Sequence, residues 1–144
     1  MPRWLREQAG QSLAEIALSL PILVFCLIGG GDIARAFAIQ LAVQNAARAG
    51  AEGTALDVTP TQTEADSWAK QELGNTPGLT ASNATVTLTL TDGAGGSCSA
   101  SPPTYANPCY AQVRVQYTWS TLVAWPMLPH TFTFDRTVMV RKYS

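Results

Sequence analysis

Apolar and polar residues change their period along this chain, and the changes mark out its elements. No charge occurs between Glu15 and Asp32. With residues 11–14 added, this uncharged stretch approaches the ~20 residues a helix needs to cross a bilayer core. A membrane span over about residues 13–31 is therefore predicted, with Glu15 inside it and Pro21 in its middle. From Asp32 to Ala51, Ile33, Phe37 and Leu41, with the alanines at 34, 38, 42 and 46, recur at helical spacing, while Arg35, Gln40, Gln44 and Arg48 fall on other faces. One continuous helix over residues 11–52 would be about 60 Å long at 1.5 Å per residue. Gly29, Gly30 and Gly31 are its weak point, because each glycine costs about 1 kcal/mol relative to alanine in a helix interior. A bend or local melt is expected there, serving as a hinge or as a site of close helix packing.

Residues 53–59 form a linker. "TPTQ" then reads as a helix start, with Thr59 as N-cap, Pro60 at the first helical position and Gln62 closing a capping box. Gly74 ends this second helix, on which Ala65, Trp68, Ala69 and Leu73 share a core-facing side. Beyond Pro77 the period becomes two: residues 84–91, 110–120 and about 131–141 each alternate, predicting half-buried strands. The third, "TFTFDRTVMV", allows a break of phase at its centre. Asp92-Gly93 and residues 126–130 supply turn chemistry between the strands. The predicted class is α+β: a long N-terminal transmembrane and amphipathic helix, then residues 60–144 as an exported domain in which a short helix packs on an antiparallel sheet of three to four strands.

At 144 residues, a chain with this span keeps roughly a hundred for a core, which excludes a two-lobed enzyme. The net charge of −1 offers no basic stripe, so nucleic acid is not an expected partner. Cys98 and Cys109 flank a Ser- and Pro-rich loop with little apolar content, and a disulfide between them would contribute about 2 to 3 kcal/mol in an oxidising compartment. A metal site is not expected, since the chain has one histidine, His130, and no Cys-x-x-Cys. His130 reads as a solvated loop residue, "DGAGGS" as a flexible turn without the context of a phosphate loop, and Cys26 as an inert apolar residue. No cofactor and no catalytic residues are expected.

Arg3 and Arg6 precede the span and place the N-terminus inside, the C-terminal domain outside. Three fates of the segment compete. A secretory signal peptide would be cut near Ala36-Phe37-Ala38, but Glu15 interrupts its apolar region. A lipoprotein signal would use Cys26, which follows the bulky Phe25. In the third, a peptidase cuts after Gly10 and leaves a free amine on Gln11, a charge at the edge of hydrocarbon that the Glu15 carboxylate neutralises, on the same helix or on a neighbour's.

"GQSLAEIALSLP", together with "GDIARAFAIQLAVQNAARAGAEGTA", resembles the TadE-like family of minor pseudopilins from tight-adherence (Tad) pilus systems, over roughly residues 8–53. The resemblance implies a pilin-like fold and processing between Gly10 and Gln11 by a prepilin-type peptidase. It also implies a role for Glu15 in helix register during assembly, and motif positions at Pro21, Gly29 or Gly30, Arg35, Asn45, Arg48 and Gly50. Ile16 and Ala9 depart from residues common in the family. The implied partners are the lipid bilayer and other pilin and minor pseudopilin subunits; the implied location is the bacterial inner membrane, single-pass, with possible incorporation in the pilus. The competing reading is an uncleaved, membrane-anchored binding module, which requires an exposed aromatic patch drawn from Trp119, Trp125, Tyr105 and Tyr110.

Overall fold

The computed structural model describes residues 3–98, 103–126 and 128–143 of the chain. Residues 1–2 of the expected leader and 99–102 of the expected disulfide loop lie outside the described residues. The chain forms two compact units that divide between Ala36 and Phe37. Helix α1 (Arg3–Ala55) contributes to both.

In the first unit α1 alone is present, and every described side chain from Gly10 to Leu27 is exposed. It already includes residues of the expected leader, and it does not melt at the glycines: the backbone is helical through residues 29–31. Backbone hydrogen bonding outweighs the glycine penalty there, which is small per residue against a run of strong helix formers on either side. Pro21 is accommodated inside the helix at the loss of one backbone donor.

The second unit is a three-stranded antiparallel sheet of order β1-β2-β3, where β1 is Ala84–Thr91, β2 Tyr110–Ser120 and β3 Thr131–Arg141. These strands coincide with the alternating segments of the sequence. Pairing is continuous from Tyr110↔Arg141 to Ser120↔Thr131, and Phe132, Phe134, Arg136, Val138 and Val140 stay in phase, so the break allowed for β3 does not occur. Val113, Val115, Tyr117 and Trp119 of β2 are buried, whereas Arg114, Thr118 and Ser120 face solvent. Trp119 lies against Phe132 and Phe134 at ring separations of 6.0 and 6.3 Å.

The inner face of this sheet meets the last turns of α1 by only part of the side expected: of the predicted stripe, Ala42 and Ala46 are buried. Ile39, Val43, Ala46, Ala47, Ala51 and Thr54 are buried, whereas Phe37 and Leu41 are exposed. The buried stripe recurs at three and four residues just as the expected one does, but beyond Ile39 and Val43 it is built of small side chains. Gly50 explains the choice: a Cβ there would lie 3.1 Å from Val113 Cγ1, 3.3 Å from the Ala65 carbonyl oxygen and 3.4 Å from Ala69 Cβ. Only an Ala- and Gly-lined face lets α1 approach β2 and the second helix at once.

That second helix, α2 (Gln62–Gly74), begins two residues later than expected. Thr61 is the N-cap, and its capping box uses Glu64, whose carboxylate accepts from the Thr61 amide at 2.9 Å. Gln62 is employed elsewhere. Its side-chain amide donates to the Val86 carbonyl at 2.9 Å and accepts from the Leu88 amide at 2.8 Å, so it occupies the outer edge of β1 as a strand would. A sheet edge with unpaired backbone groups is a template for unwanted pairing, and this contact covers part of it. Replacement Gln62→Ala is expected to cost about 1–2 kcal/mol, two modest hydrogen bonds' worth, read as a lower urea midpoint of the full chain in detergent; an unchanged midpoint contradicts it. Ala65, Ala69 and Leu73 are buried as expected, but Trp68 is half exposed and lies over Gly53.

The chain's end closes the unit. The Lys142 amide donates to the Cys109 carbonyl and the Tyr143 amide to the Ala55 carbonyl at the end of α1. The Lys142 side chain, 1% exposed, donates from Nζ to the Val58 carbonyl at 2.9 Å. Nearby, the Asp57 carboxyl is held below the usual carboxylate range, chiefly by the Thr59 amide that donates to it, with Lys142 adding a smaller attraction. Cys98 and Cys109 form the expected disulfide, with Cα atoms 5.8 Å apart.

Candidate processing and assembly segment

The residues singled out from the sequence all lie on α1, apart from the cystine, and they fall into two environments. Gly10 and Gln11 are exposed helical residues, and a Cβ at Gly10 would meet nothing within 4 Å. Gln11 Nε2 approaches Glu15 Oε1 at 3.4 Å, one helical turn along. Ser19 donates its hydroxyl to the Glu15 carbonyl at 2.8 Å, so a polar side chain is satisfied within its own helix in the middle of an apolar surface. Pro21 is exposed, and Gly30 and Gly31 have open space where a Cβ would be.

Where the apolar stretch ends, Asp32 is buried and Arg35 Nη1 lies 3.6 Å from its Oδ1. The sequence marked Arg35 as a motif position; its partnership with Asp32 follows from the i, i+3 spacing on a helix.

The closing segment "NAARAG" divides by helix face. Asn45 and Arg48 are exposed, and Arg48 pairs with Glu52 at 2.6 Å. Ala46, Ala47 and Gly50 point inward and carry the packing described above. Gly50 is thus a packing residue of the second unit, and the motif combines a structural face with a presented one.

Of the four aromatic residues the competing reading draws on, Tyr105 and Tyr110 lie toward one end of the sheet, and the other two lie elsewhere. Trp119 is buried in the core of the sheet. Tyr105 is exposed beneath the Arg141 guanidinium, near the Tyr110↔Arg141 end of the strands, whereas Trp125 belongs to the loop at the Ser120↔Thr131 end. His130 is better placed than a solvated loop residue: its Nδ1 lies 2.9 Å from the Thr121 hydroxyl, and its carbonyl accepts from the Thr121 amide, closing the β2–β3 loop. On the sheet's open face, Arg114 forms a two-pronged pair with Asp135, to which Gln116 also donates; Arg114 holds the Asp135 carboxyl below its usual range. This cross-strand cluster was invisible to periodicity, because the register that brings the residues together is not encoded in either strand alone.

A long apolar N-terminal helix followed by a small α+β unit fits a protein anchored in a membrane by a single span. The α1 helix is long and apolar enough to cross a membrane, and none of its apolar eighteen-residue window is buried. Residues 10–52 match the family model described as TadE-like protein, so this segment is similar to that family. No curated protein and no solved structure matches the chain. The matched segment begins at Gly10 and ends in the last turns of α1, and so contains both environments.

Proposed function

We propose that this protein is a minor pseudopilin-like structural subunit that takes part in assembling a Tad pilus at the inner membrane. A prepilin-type peptidase on the cytoplasmic face cuts after Gly10. The mature chain, beginning at Gln11, stays in the bilayer through α1 with its α+β unit outside, and Glu15 neutralises the new amine or that of a neighbouring helix. Helices already in lipid gain little from hydrophobic burial, so close packing and polar contacts supply the association with other pilin subunits. The role is structural, and no catalytic step is assigned to it.

The observation that carries this reading is the Gly10 to Glu15 arrangement at the start of a TadE-like segment, on a helix that is exposed from Gly10 to Leu27. The test is the intact mass and N-terminal sequence of the chain isolated from membranes. A start at Gln11 is expected. An intact Met1 would favour the uncleaved anchor, and a start at Ile39 a secreted domain; either would overturn the proposal.

A further inference from the structure

We infer that the outer edge of β3 is a docking site for an extended segment of another polypeptide chain, one that brings a carboxylate opposite Arg136 with aliphatic side chains on either side of it. The inference stands on the second unit alone. It goes beyond the proposed function, whose cleavage test it leaves untouched.

The backbone of this edge is arranged for a strand. Lys142 donates its amide to the Cys109 carbonyl at one end of the β2–β3 ladder, and Thr121 donates to the His130 carbonyl at the other. An antiparallel ladder alternates hydrogen-bonded and non-bonded pairs, so the even-numbered residues of β3 direct their backbone groups to β2. Thr131, Thr133, Asp135, Thr137, Met139 and Arg141 turn theirs outward, from a strand that the order β1-β2-β3 leaves at the rim of the sheet. The opposite rim is treated differently, since Gln62 covers β1 at Val86 and Leu88. β3 runs for 11 residues without a proline or a break of register, and an edge of that kind is a template for strand addition.

The side chains of β3 leave the core unfinished on that side. Along β2, Val113, Val115, Tyr117 and Trp119 are buried, whereas Phe132, Phe134, Val138 and Val140 on the same face of β3 are only half-buried. A further strand would cover them through cross-strand pairs.

Arg136 selects the occupant. It lies at the centre of this apolar row, half-buried, and takes part in no salt bridge among the described residues; its Nη1 donates to the Asp135 carbonyl at 3.0 Å, one of the outward-facing groups. The Asp135 carboxylate is engaged on the other face of the sheet by Arg114 and Gln116. An inward-pointing charge on an edge strand bars indiscriminate pairing, and a partly desolvated guanidinium is best matched by a carboxylate. A second copy of this chain does not supply one. β3 has no acid on this face, and on β1 the face is occupied by Ala84, Val86, Leu88 and Leu90. The partner is therefore a different chain.

The test uses the full chain in detergent and fluorescent synthetic peptides that alternate Thr and Val, end in lysines and carry either Glu or Lys as the central residue of the Val row. Anisotropy titration is expected to show saturable binding of the Glu peptide, at least about tenfold tighter than the Lys peptide, with the order reversed on Arg136→Glu. Thr137→Pro removes an outward amide and no ladder bond, so it should abolish binding while the circular dichroism of the sheet is kept. No saturable binding of the Glu peptide, equal affinity for both peptides, or parent-like binding by Thr137→Pro overturns the inference. Should Thr137→Pro unfold the sheet, the charge reversal at Arg136 decides alone. Sedimentation of the chain without peptide separates the remaining occupant: a dimer dispersed by Arg136→Glu would assign the edge to a second copy, which also overturns the inference.

Discussion

A Glu15→Ala chain is expected to reach the membrane, fold its outer unit and be cut after Gly10, yet to enter pili at less than about a tenth of the normal level, a loss equivalent to 1.4 kcal/mol or more per assembly step. The expectation follows from where the carboxylate sits. It is exposed on a helix whose apolar surface has no covering in the isolated chain, so its removal disturbs no fold contact beyond the 3.4 Å approach of Gln11. An ionised group at the edge of hydrocarbon is costly by itself, and under the proposed function its compensating partner is the amine that cleavage would create. Two measurements separate the roles: the unfolding midpoint of the outer unit in detergent, expected unchanged, and the fraction of the subunit recovered in sheared pili, expected to fall. Glu15→Gln keeps size and hydrogen bonding but not charge, and should fail nearly as badly. Normal recovery of both variants would remove Glu15 from assembly.

The parts of the fold legible in the sequence are those fixed by local chemistry. The three strands were readable because alternation with period two survives whatever the sheet packs against, and the register of β2 on β3 keeps both in phase across all the paired residues. The cystine was readable because two cysteines flank a Ser- and Pro-rich loop with little apolar material to hold it. The start of α2 was displaced by two residues because "TPTQ" and "TQTE" both satisfy the capping-box pattern; the stronger acceptor, the Glu64 carboxylate, decides, and Gln62 is drawn to the edge of β1 instead. The buried side of α1 was misread for a deeper reason. Ile33, Phe37 and Leu41 are the larger apolar residues, and weight of hydrophobicity favours them as core. The tertiary partners bury the face of Ile39, Val43, Ala46, Ala47 and Gly50 instead, since α2 and β2 converge at Gly50, where a Cβ would already meet Val113 and Ala65. Of the candidate site, Gly10, Glu15 and Arg35 were marked by the family resemblance, whereas the division of "NAARAG" into inner and outer faces required the sheet.

That convergence yields the largest expected loss of stability. Gly50→Leu should lower the stability of the outer unit by about 3 kcal/mol or more, the upper part of the range for overpacked cores. The Val113 methyl can rotate away from a new side chain, but the Ala65 carbonyl oxygen, 3.3 Å from the position of a Cβ, belongs to the backbone of α2 and can move only if the helix does. Gly50→Ala is a finer probe. Its gain in helix propensity, about 1 kcal/mol, opposes contacts of 3.1 and 3.3 Å, and the two effects should nearly cancel. Gly30→Ala meets no neighbour in the chain and should leave the outer unit's midpoint unchanged. Thermal unfolding of the full chain in detergent, followed by circular dichroism, ranks the three. Equal midpoints for Gly50→Leu and the parent would refute the packing assigned here. The expected ranking also sorts the TadE-like segment by role: a Gly50 variant that fails to enter pili does so because its outer unit has lost its fold, whereas Glu15→Ala fails with that unit intact. One matched segment thus carries two separable demands, a small-residue face that admits α2 and β2, and an exposed carboxylate at the far end of the same helix that is free to meet an amine.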